Sequence, residues 1–146
     1  VIEFMAHGLP VPQGSKRAIS SKGRTFLVDD NKDNLKPWRQ EIAGLAIEEM
    51  QGDGPWSGPV SVRVMFFLPR PRGHFGKGRN EEQLRPSAPI APHVKPDVDK
   101  LARAILDALT GTVFHDDAQV VDLNCSKVYA DDWRHPGAMI EVRRVV

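Results

Sequence analysis

The hydrophobic positions along this chain change period several times, and each change marks an element. Ile2, Phe4 and Ala6 alternate with polar neighbours and predict a strand over residues 2–8, closed by the turn-prone run Gly8-Leu9-Pro10-Val11-Pro12-Gln13-Gly14. Thr25 to Val28 is a short strand candidate, and Asp29-Asp30-Asn31 separates it from a helix over about residues 35–50. There Leu35, Trp38, Ile42, Leu45 and Ala46 recur at helical spacing as one apolar stripe. Asn34 is placed to cap this helix, and Pro37 falls in its first turn, where a missing N–H costs little. After the Gly52-Asp53-Gly54-Pro55 turn, Val60, Val62, Val64, Phe66 and Leu68 alternate with Ser61, Arg63, Met65 and Phe67, the strongest strand signal in the chain.

Residues 69–92 lose almost all periodicity and carry five prolines, which predicts a long surface loop, basic and Pro-rich to about residue 95. A second helix follows over 98–109, with Val98, Leu101, Ala102, Ile105, Ala108 and Leu109 toward the core and Gly111 as its C-terminal cap. Alternation returns over 119–129, placing Val121, Leu123, Cys125 and Tyr129 on one side, and again over 138–146 through Ile140, Val142 and Val146. The expected fold is α/β of the α+β type: a mixed sheet of four to five strands with two main helices.

A chain of 146 residues, 40% hydrophobic, has enough apolar side chains for one core, so residues 1–146 are expected to form a single domain. The lone cysteine, Cys125, excludes an internal disulfide and suits a small core residue in a reducing compartment. No apolar run approaches the roughly 20 residues of a membrane span, so the expectation is a cytoplasmic protein without membrane contact. The net charge of +1 hides local asymmetry. Lys16, Arg17, Lys22 and Arg24 form one basic run, and Arg70, Arg72 and Lys95 belong to a second in the Pro-rich loop; both are candidates to neutralise phosphates.

Candidate chemistry concentrates where that loop meets the second helix. Lys95-Pro96-Asp97-Val98-Asp99 is followed, after the helix, by Asp116-Asp117. Carboxylates gathered together are costly unless a cation neutralises them, which points to a hard metal ion acting on phosphate. Residues two apart share a side only in extended chain, so Asp97 and Asp99 converge only if Asp97 lies at or before the helix cap. Helix-start chemistry offers a plainer account of the same pair, since Asp97 is a good N-cap and Asp99 suits the helix dipole. Asp116-Asp117 equally suits an ordinary turn, as do Asp131 and Asp132 beside Trp133. Asp107 is spaced to pair with Arg103, and His93 and His115 flank the acids without being required by an oxygen-preferring cation.

Three runs together resemble the RusA family of Holliday junction resolvases, many of them encoded by phages or prophages. They are Lys95-Pro96-Asp97-Val98-Asp99-Lys100-Leu101, Ala104-Ile105-Leu106-Asp107-Ala108-Leu109-Thr110-Gly111 and Asp116-Asp117-Ala118-Gln119-Val120-Val121. Gly8-Leu9-Pro10-Val11-Pro12-Gln13-Gly14-Ser15-Lys16-Arg17 is similar to the N-terminal loop of a phage-type branch, while the Pro-rich loop has no match. The resemblance implies a RusA-like fold and a homodimeric, Mg²⁺-dependent endonuclease, Mn²⁺ being the other candidate ion, that cuts four-way DNA junctions symmetrically in recombination and repair. It implies Asp97, Asp99 and Asp117 as the essential metal-binding carboxylates, Asp116 beside them, and Lys127 at a recurrent basic position. Two departures stand out: Lys100 replaces a usual Asn, and Arg103 replaces a catalytic Lys. Arg keeps the charge but cannot donate a proton at ordinary pH, so Lys100 is a candidate to take over that part.

Two other classes compete. A non-catalytic DNA-binding module would use the basic runs but has no need of Asp97, Asp99 and Asp117. A small-molecule phosphohydrolase with an Asp-x-Asp nucleophile needs an apolar strand before the motif, and His93-Val94-Lys95-Pro96 is a poor one.

Overall fold

The computed structural model describes residues 1–14, 16–29, 32–131 and 135–146. Six strands and two α-helices follow one another as β1 (Ile2–His7), β2 (Lys16–Ser21), β3 (Arg24–Asp29), α1 (Lys32–Met50), β4 (Val60–Leu68), α2 (Val98–Leu109), β5 (Val120–Tyr129) and β6 (Gly137–Arg144). A mixed four-stranded sheet runs in the order β1-β6-β4-β5, with β5 parallel to β4 and the other pairs antiparallel. The architecture is therefore α+β, as the alternation of periods predicts.

The alternating strand patterns bury one face of the sheet against the two helices. Ile2, Phe4 and Ala6 of β1, Val60, Val62, Val64 and Phe66 of β4, and Ala138, Ile140 and Val142 of β6 meet Leu35, Trp38, Ile42 and Ala46 of α1. Helix α2 adds Leu101, Ala104, Ile105, Ala108 and Leu109, and no polar or charged residue is buried among the described residues. Expulsion of water from these side chains is the main stabilising term, at about 25 cal/mol per Å² of apolar surface removed.

Several boundaries differ from expectation. Helix α1 starts at Lys32, because polar Lys32, Asp33 and Asn34 carry no periodic signal; Asn34 therefore lies inside the helix, and Pro37 sits beyond its first turn. The segment 16–29, read as a basic run plus one short strand, is a β2–β3 hairpin. Ser21 pairs with Arg24, leaving Lys22 and Gly23 as a two-residue tip with φ of 50° and 74°, the combination a type I′ turn requires. The Pro-rich segment holds two short 3-10 turns, Arg72–His74 and Gly78–Asn80, and a bridge between Phe75 and Leu84.

Strand β5 lies at the sheet edge. A register shift at its start sets Leu123, Cys125, Lys127 and Tyr129 beside Val62, Val64, Phe66 and Leu68. Val121 and Leu123, expected on the core side, stay 62% and 45% exposed because no further strand among the described residues covers this edge. Cys125 is half-buried against the core, and its thiol is pushed up to about 11, chiefly by burial, with a hydrogen bond to the Val64 backbone acting the other way. The folded protein therefore favours the thiol, a contribution to stability that is full below pH 9 and lost as pH rises through 11. At pH 8, alkylation by iodoacetamide is expected to be at least roughly tenfold slower in the native protein than in urea, and equal rates would contradict this burial.

Candidate nuclease site at the ends of helix α2

Asp97 occupies the N-cap position of α2 with extended backbone, φ −72° and ψ 139°, and Asp99 lies in the first turn. The Asp97 carboxylate makes no capping bond to the helix. It lies instead 3.4 Å from Lys100 Nζ, so its charge faces outward with its neighbours. Asp99 is exposed on the same end of the helix. The approach to α2, with a cis Lys95–Pro96 peptide, is tied down from β5: Lys127 Nζ donates to the carbonyls of Val94 at 2.6 Å and Pro96 at 2.8 Å. Lys127 thus holds the segment that aims Asp97. Lys127→Met is expected to cost about 1–3 kcal/mol, read by urea denaturation, with faster amide exchange over residues 93–97. Unchanged exchange there would rule out the clamp.

The loop after β1 braces the outer face of α2. The Gln13 N–H donates to the Lys100 carbonyl at 2.9 Å, and its side-chain amide donates to the Asp107 carboxylate while accepting from Arg39 at 3.2 Å. Arg39 also pairs with Asp107 at 3.6 Å. The Arg103–Asp107 pairing expected from helical spacing is thus replaced, because Gln13 and Arg39 reach Asp107 from two other elements. Arg103 is exposed, with Gly14 against its guanidinium; Gly14 has φ of +95°, and a Cβ there would overlap the Arg103 side chain. Sequence reasoning did not single out Gln13 or Arg39. The only available signal was Gln13 within the Pro-Gln-Gly loop.

Asp116 and Asp117 stand at the other end of α2. After Gly111 ends the helix, Phe114 packs into the core, and the chain turns through a 3-10 turn at Asp117–Gln119. Asp116 caps that turn, its carboxylate accepting from Ala118 N–H at 2.9 Å. Gln119, unremarked in the sequence as a site residue, organises the turn: its Oε1 accepts from the His115 and Asp116 N–H groups, and its Nε2 donates to the Trp56 and Gly58 carbonyls. The Asp116 carboxylate is therefore spent locally, while Asp117 is exposed.

Within one chain the acids form two groups and not one. Lys127, near the end of β5, touches the segment leading into α2, whereas Asp117 precedes the start of β5, in the turn that Gln119 ties to Trp56 and Gly58. The intervening helix has 12 residues and is about 18 Å long. Accordingly, no group of three or more His, Cys, Asp or Glu side chains is close enough to hold a metal ion among the described residues. The return from α2 brings the far end of β5, not Asp117, back to Asp97 and Asp99.

The basic candidates also separate. Lys22 and Arg24 at the hairpin tip, and Arg72 and Lys95 around the Pro-rich segment, are exposed. The side chains of Lys16 and Arg17 lie outside the described residues, as do Asp132 and Trp133. Arg70 is not available to DNA in this arrangement. Its side chain is 7% exposed, donates to the Pro89 carbonyl at 2.8 Å and Asp131 at 3.2 Å, and lies 4.2 Å from the Tyr129 ring centroid. An Arg needs several acceptors when buried, and the Pro-rich segment supplies them. His93 lies 3.3 Å from the Ala91 carbonyl, and His115 is exposed near Asp116.

Comparison with known proteins gives the chain a family. The chain is 31% identical over 144 residues, 99% of its own length and 96% of the relative's, to the uncharacterized protein YqaN of Bacillus subtilis (strain 168). A family model described as endodeoxyribonuclease RusA matches residues 7–143, which include the loop after β1, both ends of α2 and all of β5. With nearly its whole length matched, the chain belongs to the RusA family of endodeoxyribonucleases.

Proposed function

We propose that this protein is a divalent-metal-dependent endonuclease that cuts branched DNA, with the four-way junction as substrate and a homodimer as the working form. The observation that carries the reading is the outward-facing pair Asp97 and Asp99 at the start of α2, set among Lys95, Lys100 and Arg103. Acids alone repel a phosphate. Acids flanked by cations suit a phosphate that arrives with a divalent ion.

The donor set is all hard oxygen, which fits Mg²⁺ or Mn²⁺, but the length of α2 keeps Asp117 away from Asp97 and Asp99 of its own chain. A two-fold axis across α2 and the β5 edge runs the two copies antiparallel there, so that Asp117 of each copy meets Asp97 and Asp99 of the other. Asp97, Asp99 and the second copy's Asp117 would hold the ion, with Asp116 alongside as the cap of the Asp117 turn. When bound, such an ion supplies Lewis acidity and lowers the pKa of water.

The chain's own residues do the rest. Arg103, permanently charged, stabilises the added negative charge on the phosphorus-bound oxygens. Lys100 is the proton donor within reach of the same end of the helix. Lys127 positions the segment carrying Asp97. Water adds to phosphorus, the bond to the 3′-oxygen breaks, that oxygen takes a proton, and a 5′-phosphate remains. Lys22, Arg24, Arg72 and Lys95, with Lys16 and Arg17 of β2, neutralise backbone phosphates without reading bases, so selectivity comes from branch shape. No helix among the described residues is long and apolar enough to cross a membrane. The reading places the protein in the cytoplasm, on the host nucleoid, as one endonuclease domain acting in recombination and repair.

The test is incubation of a synthetic four-way junction and a linear duplex with wild type and Asp97→Asn, in Mg²⁺ or EDTA. Wild type is expected to cut the junction in Mg²⁺ only, at symmetric positions. Cutting that persists in EDTA would sink the metal assignment, and equal cutting of the duplex would sink branch selectivity.

A further inference from the structure

Beside Asp97 the surface opens into a cleft of about 560 Å³, between the loop after β1, the start of α1 and the segment leading into α2. Its volume lies within the range of small-molecule sites. The walls are largely apolar, formed by Pro10, Pro12, Leu68, Pro69, Val94 and Tyr129. The Tyr129 ring is held in place by the Arg70 guanidinium and by His74, edge-on at 5.4 Å between ring centroids. Polar groups at the cleft are few: Lys95, Asp97 and Lys100, and the Asn34 amide from α1. The apolar walls and the Asn34 amide are not needed to hold a metal ion or to bind a duplex backbone.

We infer that this cleft takes one unstacked nucleobase of the DNA strand whose phosphate lies at Asp97 and Asp99, an inference that rests on the function proposed above. Flat walls of proline rings and the exposed Val94 side chain suit the face of a base, with the buried Tyr129 ring as a rigid floor beneath them. The Asn34 amide offers one donor and one acceptor group to a base edge. Lys95 and Lys100 stand where the attached phosphate would lie. A base inside a duplex cannot enter without losing its pairing and both stacking partners, whereas a base at a branch point has already lost part of that stabilisation. The cleft therefore gives branch selectivity a physical source: only a junction delivers a base cheaply enough to fill the slot and seat the scissile phosphate.

The experiment uses four-way junctions with 2-aminopurine at successive positions beside the branch point, bound by the Asp117→Asn protein in Mg²⁺. That variant is expected to bind without rapid cutting, because Asp117 is one of the proposed metal ligands, and it leaves every residue lining the cleft unchanged. Binding is expected to change the fluorescence at one position and to leave its neighbours near their free values. Adding Val94→Trp, at an exposed position on the cleft wall, should abolish that change and weaken junction binding roughly tenfold, with the circular dichroism spectrum unaltered. Asn34→Ala should keep the fluorescence change but level the affinities for the four bases at that position. A junction that is bound with no fluorescence change anywhere, or with the same change in the Val94→Trp protein, overturns the base slot alone. Failure to bind any junction removes the base slot together with the proposed function.

Discussion

Asp99→Asn and Asp117→Asn subunits, each inactive alone, are expected to restore cleavage when combined in one dimer. Each variant by itself should cut a four-way junction roughly a thousandfold more slowly than wild type or worse, the scale of losing several kcal/mol of transition-state stabilisation. In the mixed dimer one site carries both lesions, while the other combines Asp97 and Asp99 of one copy with an intact Asp117 of its neighbour. The product should then be a nicked junction and not a pair of cuts. Were each site complete within one chain, every site in the mixture would carry a lesion and nothing would be rescued. Coexpression with two affinity tags isolates the mixed dimer, and an inactive mixed dimer of confirmed composition would refute the shared site. A protein that sedimented as a monomer on the junction would do the same. The reason for expecting rescue is the length of α2, about 18 Å for its 12 residues, which no side-chain rotation spans.

Phe114→Ala should produce the largest loss of stability of any single truncation near the site. Phe114 is fully buried, its carbonyl accepts from the Gly111 N–H at 2.7 Å, and its backbone bridges to both Trp56 and Thr110. Removing its ring leaves a cavity in the core beside the end of α2 and the approach to the Asp116-Asp117 turn, at a cost of about 3–5 kcal/mol. Against a typical total of about 5–15 kcal/mol, that is a large share. Urea unfolding of the variant measures it, and a loss below about 1 kcal/mol would mean that the ring does not anchor the return. Cleavage should fall as well, even in conditions where the variant is folded, because Asp117 hangs from the same turn.

Elements with a strong one-sided pattern were legible in the sequence. The alternation of Val60, Val62, Val64 and Phe66 and the helical spacing of Leu101, Ile105 and Leu109 each match a buried face, and Gly111 ends α2 with φ of +83°, as a helix terminus of that kind requires. Asp97 at the helix cap meets the demand that the Asp-x-Asp spacing set, and its residue type suits that position. What failed to show was whatever depends on partners distant in the chain. Asp107 looked like a mate for Arg103 because helical spacing is visible locally, whereas Arg39 and Gln13 come from other elements. Arg70 looked like a phosphate ligand because charge is visible and burial is not. The β2–β3 hairpin carries little alternation to announce it, and its tip depends on a positive φ at Lys22, a residue that seldom adopts one. Convergence of Asp117 on Asp97 could not be judged without knowing that β5 runs parallel to β4, which fixes the end of the sheet on which each acid lies.

Helix α2 has one more role if its two ends serve different cutting centres. It is then a rigid caliper: the stagger between the paired nicks is written in helical turns of protein, about 5.4 Å each, and not in the base sequence of the DNA. A relative with one turn added to or deleted from this helix would move the two incisions relative to each other while keeping every catalytic side chain.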